Sequence, residues 1–557
     1  MNESGRKLAL LMMVAAGAIF SMLRCWEAGR PVSLPDAPAG RLACVSYTPA
    51  RRMATAEAVM TPAQIDADLR RLADRFQCVR TYAVARGLDA VPAVARKYGM
   101  KVLLGVWIGP DAADNEAEIR TATRVAAENA DVIRAIVVGN EVLLRHEQSE
   151  EALRGYLERV RAATRLPVTY ADVWEFWRRH PGLAGAASLI TIHILPYWEN
   201  HPVAVGAALD HAREVYAEMQ RQFPGRHILI GETGWPTAGR PRGGAIPSRV
   251  NAARYLREFT RYAVEHGIDY NLFEAYDQPW KRAAEGTVGG SWGLYDVNGA
   301  SKFSLQGPVR ETEDWRGGLQ AASAGALLFM IIGAVVPPRA GRRGMFLMAA
   351  AGVAAGAALA AQCEYLSRDS RDAAEWMLSG AGAAWGWLAF FCALIALRSW
   401  AGAGAALPRV AGIEEVAVVL RRRGGWSMSH TLGLLRFGLL AGLSYLNLGL
   451  VLDGRYRDFP IPLLALPVAG LALLEAVRGR DAERAPLAPE ELLMAWWLPL
   501  AAVLILIAEK GLNFTVWSWA ALCVLLAGGT CGWRRPPAGE QQCARQQSQA
   551  GREVAVK

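Results

Sequence analysis

The chain is poor in the residues that build metal sites. Its eight cysteines and eight histidines include no CxxC pair and no histidine at metal-ligand spacing, so no metal site is expected. A glycine-rich phosphate loop is also missing. The first candidate strand runs into Val45-Ser46-Tyr47-Thr48-Pro49, which weighs against a doubly wound dinucleotide fold, and no cofactor is expected. Met22-Leu23-Arg24 precedes Cys25 in place of the small residues that a lipoprotein cleavage site needs. The formal net charge of +9 does not point to nucleic acid, because much of it sits in arginine-rich loops between apolar segments, where membrane topology accounts for it.

What the chain has in abundance is apolar residues, 52% of the total, unevenly spread. Arg6-Lys7 and the apolar run 8–23 read as an uncleaved signal anchor, with cleavage as the alternative, and 24–40 as a proline-containing linker. After Pro308 apolar segments recur at 319–336, 345–361, 376–397, 432–452, 460–477, 494–508 and 514–531. These predict a helical membrane domain over 308–533 with about seven spans. Lysine and arginine test the orientation. With the intervening domain outside, predicted cytoplasmic segments hold 18 such positions and short external loops 5, as the positive-inside rule requires. The expected location is the inner (cell) membrane, multi-pass, with residues 41–307 on the periplasmic or extracytoplasmic side and membrane lipid as a partner. Arg436 and Glu475 lie near span ends, where snorkelling is the simpler reading. Residues 534–557 are expected to be a disordered cytoplasmic tail.

Between 41 and 307 strand-like and helix-like stretches alternate. Candidate strands are 42–48, 79–84, 101–107, 135–140, 167–171, 188–195, 227–231 and 268–273. Thr61-Pro62, Ser149 and Ser248 open helices as N-cap residues. Eight strands with helical connections predict a (β/α)8 TIM barrel, whose usual length is about 250 residues; an open doubly wound sheet is the runner-up. Cys44 and Cys78 fall on the first two strands and could meet, but free thiols are the favoured reading.

Two of these strands end alike. Gly139-Asn140-Glu141 closes the fourth and Gly231-Glu232 ends the seventh. Barrel enzymes keep their sites at the C-terminal strand ends, and strands four and seven face each other across the mouth. A lone strand-end glutamate is more often a cap or a salt bridge. Two of them, with aromatics at the other strand ends (Tyr47, Tyr82, Trp107, Trp174, Tyr197, Trp198, Trp280) and Trp235 behind Glu232, suit a carbohydrate groove and paired-carboxylate glycoside cleavage.

Residues 42–307 resemble glycoside hydrolase family 17, which acts on β-1,3-glucan. The likeness rests on Val138-Gly139-Asn140-Glu141-Val142, Gly231-Glu232-Thr233-Gly234-Trp235-Pro236, Val79-Arg80-Thr81-Tyr82, Phe273-Glu274-Ala275-Tyr276-Asp277-Gln278-Pro279-Trp280-Lys281 and Gly293-Leu294-Tyr295-Asp296. The resemblance implies a retaining barrel with Glu141 as general acid/base and Glu232 as nucleophile. It also implies Asn140 as a substrate contact, Tyr197 near the nucleophile and Lys281 near the site. Tyr47, Tyr82, Trp235 and Trp280 complete the expected substrate-binding set. Gln278 stands where the family commonly has an acid. His193-Ile194-Leu195-Pro196-Tyr197-Trp198 resembles a bacterial, membrane-attached branch similar to β-(1,6)-glucan synthase-type proteins.

The expected activity is therefore a membrane-anchored glycosidase or transglycosylase that remodels, elongates or branches β-1,3-glucan through a covalent glucosyl-enzyme, with a membrane glucan synthase as candidate partner. The alternatives are a simple endo- or exo-β-1,3-glucan hydrolase, a polysaccharide-export membrane protein carrying a glucan-binding barrel, and a non-catalytic glucan-binding barrel.

Overall fold

The computed structural model describes residues 2–49, 59–337, 341–478 and 485–531. They divide into two units. One comprises Ala28–Glu313 with Arg455–Asp458; the other comprises Met1–Glu27, Asp314–Gly454 and the chain from Phe459 onward.

The chain opens on helix α1 (Glu3–Ala28) of the apolar unit. The other unit is built on eight strands: β1 (Leu42–Ser46), β2 (Phe76–Arg80), β3 (Lys101–Val106) and β4 (Ile133–Asn140), then β5 (Val168–Val173), β6 (Ile190–His193), β7 (Ile228–Thr233) and β8 (Asp269–Leu272). All pair in parallel and in sequence order, and β8 returns to β1 to close the barrel. Helices α2 (Pro62–Ala73), α3 (Val91–Lys97), α4 (Ala112–Glu128) and α5 (Glu150–Ala163) follow the first four strands; α6 (Trp174–Arg179), α7 (Val205–Gln222) and α8 (Arg249–Glu265) follow the next three. A short α9 (Arg282–Gly289) comes after β8.

The strands read as apolar runs because both faces are covered, helices outside and side chains inside. Thr61 caps α2 in a reciprocal capping box with Gln64, with Pro62 at the first helical position. Ser149 and Ser248 cap α5 and α8 through Ala152 N and Asn251 N. Within the barrel an apolar layer forms from Cys44, Cys78, Leu103, Ala135, Val137, Ala171, Leu189 and Leu229. Two residues further along, on the same side of the pleat, β1 and β2 carry Ser46 and Arg80 instead. That switch marks where packing gives way to chemistry.

Two expectations are corrected in this unit. The second strand lies at Phe76–Arg80 rather than 79–84, because Phe76 is buried against the helices and the chain leaves the sheet after Arg80. Cys44 and Cys78, read as free thiols, are joined in a disulfide, since the register of β1 and β2 sets them side by side, 4.3 Å apart at Cα.

The apolar unit continues with α10 (Trp315–Val335), α11 (Arg342–Asp369), α12 (Ala373–Ala403) and a short amphipathic α13 (Ile413–Arg422). It ends with α14 (Met428–Leu452), α15 (Ile461–Arg478), α16 (Pro489–Ala508) and α17 (Phe514–Cys531). With α1 but without α13, eight helices among the described residues are long and apolar enough to cross a membrane. Glycines let α10 and α11 approach closely: a Cβ on Gly352 would lie 2.4 Å from Gly325 O, the small-residue packing favoured between apolar helices. Arg436 does not snorkel. It is buried, 2.7 Å from Glu491 of α16, and donates to Ala411 O. Glu475 pairs with Arg478 one turn on. The tail expected at 534–557 lies outside the described residues.

Candidate active site

Both glutamates reach the C-terminal mouth of the barrel, but the backbone delivers them differently. At β4 the chain turns out of the sheet: Gly139 has φ +80° and Glu141 φ +52°, the latter a left-handed conformation that a non-glycine residue adopts only at some cost. Glu141 N donates to Ala171 O of β5, which fixes the turn. At β7 the chain stays in the strand, and register slips against β6 and β8 turn Glu232 into the barrel, opposite His193. Such irregularities commonly re-aim a side chain at a site. One carboxylate oxygen of each glutamate lies within 4.8 Å of the other.

Glu232 is held at one oxygen. Arg80 Nη1 donates to Oε1 at 3.1 Å and Tyr82 OH at 2.8 Å. The Arg80 guanidinium is itself buried and spans the barrel, with Nη1 also reaching Gly231 O at 2.6 Å and Nη2 reaching Asn140 Oδ1 at 2.6 Å. Arg80 therefore ties the nucleophile candidate to the residue before the acid candidate. Burial and the facing Glu232 push the Tyr82 phenol well up, so it stays a neutral donor; its oxygen also meets Ser46 Oγ at 2.7 Å.

Glu141 is more open, its side chain 24% exposed against 5% for Glu232. Burial of its carboxyl nonetheless raises it above the ordinary glutamate value, with Arg145, Arg80 and Lys281 pulling the other way. Arg145 donates to Asn140 O and lies 4.4 Å from the Trp107 ring centroid. Beneath this turn Asp172 of β5 is buried, hydrogen-bonded to Tyr170 OH, and pushed up to about 7 by burial. On the β8 side Lys281 Nζ sits on both oxygens of buried Glu274, at 2.8 and 3.0 Å. Burial pushes Glu274 up to about 7 despite that lysine.

Of the expected site residues the structure brings Glu141, Glu232, Asn140, Tyr82 and Lys281 together, with Trp280 beside Lys281. Three others go elsewhere. Tyr47 is buried and its hydroxyl donates to Asp68 of α2 at 3.1 Å. Trp235 is buried, its indole N–H on Ile246 O. Tyr197, expected at the nucleophile, is buried edge-on to Trp235 and Trp292, with its hydroxyl on Arg240 O. The phenol at Glu232 is Tyr82. Gln278, at the position of the missing acid, is tied to the backbone at Thr48 O and Tyr276 O.

Arg80 and His193 are site residues that sequence reasoning left out, although both stood within quoted motifs. The available signal was a cation inside an otherwise apolar strand. Glu141, His193 and Glu232 present ligand-type atoms within 4.8 Å of one another. Arg80 Nη1, 3.4 Å from His193 Nε2 and 3.1 Å from Glu232 Oε1, already supplies the positive charge there and opposes a metal ion.

The domain model for BtgE/BtgC glycoside hydrolases matches residues 44–293, wholly within the barrel unit. A glucan 1,3-beta-glucosidase of Arthroderma benhamiae is 28% identical over 270 residues, 45% of this chain and 87% of that relative. Another, of Schizosaccharomyces pombe, is 30% identical over 236 residues, 39% of this chain and 72% of the relative. Among solved structures, a glycoside hydrolase family 17 beta-1,3-glucanosyltransferase from Rhizomucor miehei aligns at 23% identity and a TM-score of 0.43, covering 47% of this chain and 97% of that one.

Proposed function

The chain belongs to glycoside hydrolase family 17, and on that premise we propose that it is a retaining enzyme working on β-1,3-glucan through a covalent glucosyl-enzyme. The carrying observation is the two carboxylates, oxygens within 4.8 Å, in unlike surroundings. Retaining glycosidases hold their carboxyl groups about 5–5.5 Å apart and inverting ones about 6.5–9.5 Å. Unlike environments around two carboxyls are what divides acid from nucleophile.

Glu232 is the nucleophile. Arg80 and Tyr82 hold Oε1, which leaves Oε2 to form the bond to the anomeric carbon. Glu141, whose carboxyl burial raises above the ordinary glutamate value, gives its proton to the glycosidic oxygen as that oxygen leaves with the electrons of the broken C–O bond. Asn140, its carbonyl oxygen occupied by Arg80, turns its amide N–H groups towards the sugar. In the second step Glu141 takes a proton from the incoming hydroxyl, which displaces Glu232. Water as acceptor gives hydrolysis; a sugar hydroxyl gives transfer. The apolar helices favour work on glucan at a membrane, hence remodelling, elongation or branching by transfer.

The same reading makes the chain multi-pass, with its N-terminus in the cytoplasm and the barrel outside. The Cys44–Cys78 disulfide supports that side, since such bonds persist in oxidising compartments.

The test is to incubate the detergent-solubilised full chain with β-1,3-gluco-oligosaccharides and determine the length and linkage of the products. Products longer than the substrate establish transfer, and only shorter ones make it a hydrolase. Full activity in Glu232→Gln would remove the nucleophile assignment.

A further inference from the structure

His193 closes β6 with its side chain fully buried between the two glutamates. Nδ1 lies 3.1 Å from Glu141 Oε1 and Nε2 3.6 Å from Glu232 Oε1. A neutral imidazole carries one proton, so only one nitrogen donates. The neighbour of Nε2 decides which. Arg80 Nη1 stands 3.4 Å from Nε2, and a guanidinium has donors but no acceptor. A proton on Nε2 would face the guanidinium, with Glu232 Oε1 at 3.6 Å too far to accept it, whereas a lone pair there receives the arginine N–H. The imidazole proton therefore sits on Nδ1 and points at Glu141. Burial keeps the ring neutral, drawing it down to about 4 against the pull of Glu232 and with the help of Arg80.

We infer that His193 is a positioning residue that donates Nδ1–H to Glu141 Oε1 and so places the proton transferred in the reaction on Glu141 Oε2. This rests on Glu141 being the acid/base. A carboxylic acid accepts at its carbonyl oxygen and donates from its hydroxyl oxygen. With Oε1 engaged as acceptor, the acidic hydrogen belongs to Oε2. In cleavage the Oε2–H bond breaks, the proton passes to the glycosidic oxygen, and that oxygen keeps the electron pair of the broken C–O bond. In the second step Oε2 recovers a proton from the acceptor hydroxyl as its oxygen bonds to the anomeric carbon and Glu232 leaves. His193 keeps its own proton throughout, so it orients the acid and does not relay. When Glu141 is ionised, the same N–H stabilises the carboxylate. The other charged or titratable groups around Glu141 are Arg80 from β2, Arg145 after its own strand, Asp172 and Tyr170 from β5, Glu232 from β7, and Lys281 and Glu285 beyond β8.

Amide substitutions separate the two nitrogens. Asparagine sets its side-chain N–H near the place of Nδ1, and glutamine sets it near that of Nε2. The full chain is made with His193→Asn, His193→Gln and His193→Ala, and pH profiles are taken on a β-1,3-gluco-oligosaccharide. His193→Asn should stay within a few-fold of the parent with its profile unmoved. His193→Gln and His193→Ala should lose about ten- to a hundredfold in kcat, the worth of one hydrogen bond to a charged group, with KM unchanged. Their alkaline limb should move to higher pH, because ionised Glu141 has lost a donor. Equal losses in all three with unmoved limbs, or rescue by glutamine and not asparagine, would overturn the inference. Glu141→Ala runs alongside, on the oligosaccharide and, with added azide, on an aryl β-glucoside whose leaving group departs without a proton. If that variant cleaves the oligosaccharide normally, the acid/base reading falls and the inference with it. If it is inactive on the oligosaccharide and azide restores turnover of the aryl β-glucoside while the His193 profiles stay put, the inference alone falls.

Discussion

Replacing Arg80 by methionine keeps most of the side chain's bulk and removes its charge. The guanidinium is 1% exposed and makes contacts at 2.6 Å with Gly231 O, 2.6 Å with Asn140 Oδ1 and 3.1 Å with Glu232 Oε1. Without it Glu232 is a buried carboxylate with Tyr82 as its remaining strong donor. Removing one partner of a buried ion pair costs about 3–5 kcal/mol, mostly as the penalty of stranding the other charge. Arg80→Met should lower unfolding free energy by that order and cut kcat/KM at least about a hundredfold, because Glu232 and Asn140 lose their common anchor. Arg80→Lys should retain part of the stability and little of the activity, since an ammonium cannot fork to acceptors on two strands. The sharper readout is a double-mutant cycle by chemical denaturation. Arg80→Met combined with Glu232→Gln strands no charge and should be more stable than Arg80→Met alone. A double variant no more stable than that single one, or Arg80→Met with parental kcat/KM, would refute the argument that this pair organises the site.

Other substitutions probe neighbouring contacts. Tyr82→Phe removes the 2.8 Å hydrogen bond to Glu232, worth about 1.5–3 kcal/mol to a charged acceptor, so initial rates on an aryl β-glucoside should fall about ten- to a hundredfold; unchanged rates would sink it. Glu141 must be protonated for cleavage, so activity is present below its titration and lost as pH rises through it. Arg145 pulls that titration down, and Arg145→Gln should shift the alkaline limb of kcat/KM upward, while a downward shift would reverse the assigned charge effect. The disulfide closes a loop with a separation of 34 residues, for which chain entropy predicts about 4 kcal/mol; Cys44→Ser with Cys78→Ser should lower the denaturation midpoint accordingly, and an unmoved midpoint would argue against the bond.

How far the molecule is legible in its sequence depends on whether a feature is local. The eight strands are readable because each is a short apolar run buried on both faces, and the paired glutamates because each stands behind a glycine at a strand end. The Cys44–Cys78 bond and the Arg436–Glu491 pair depend on register and on packing between distant segments, which periodicity does not carry. Among the aromatics the sequence offers no means of separating those that line the mouth from those that pack under the loops. Tyr47, Tyr197 and Trp235 occur at strand ends like Tyr82 and are equally aromatic, yet only Tyr82 turns its hydroxyl to Glu232, because it follows Arg80 by two residues and shares its inward side. Arg80 and His193 were visible as residues but not as partners, since their role lies in four strands, β2, β4, β6 and β7, converging on one point.

Gly139-Asn140-Glu141 and Gly231-Glu232 look alike in sequence, and their glycines do different physical work. Gly139 is required by its backbone: φ is +80°, and a Cβ there would lie 2.7 Å from Val142 Cγ2. That turn lifts Glu141 from the sheet to the rim, where its side chain is 24% exposed. Gly231 stays in the strand, inside the register slips against β6 and β8, and a Cβ there would meet Thr191 Cγ2 at 2.5 Å. Its absent side chain leaves room for Thr191 of β6 beside the slip that turns Glu232 towards Arg80. One glycine thus buys exposure and a partly solvated acid, and the other a buried, cation-held carboxylate. The division of labour proposed for the glutamates follows from what each glycine makes room for, a backbone turn at β4 and a slipped register packed on Thr191 at β7.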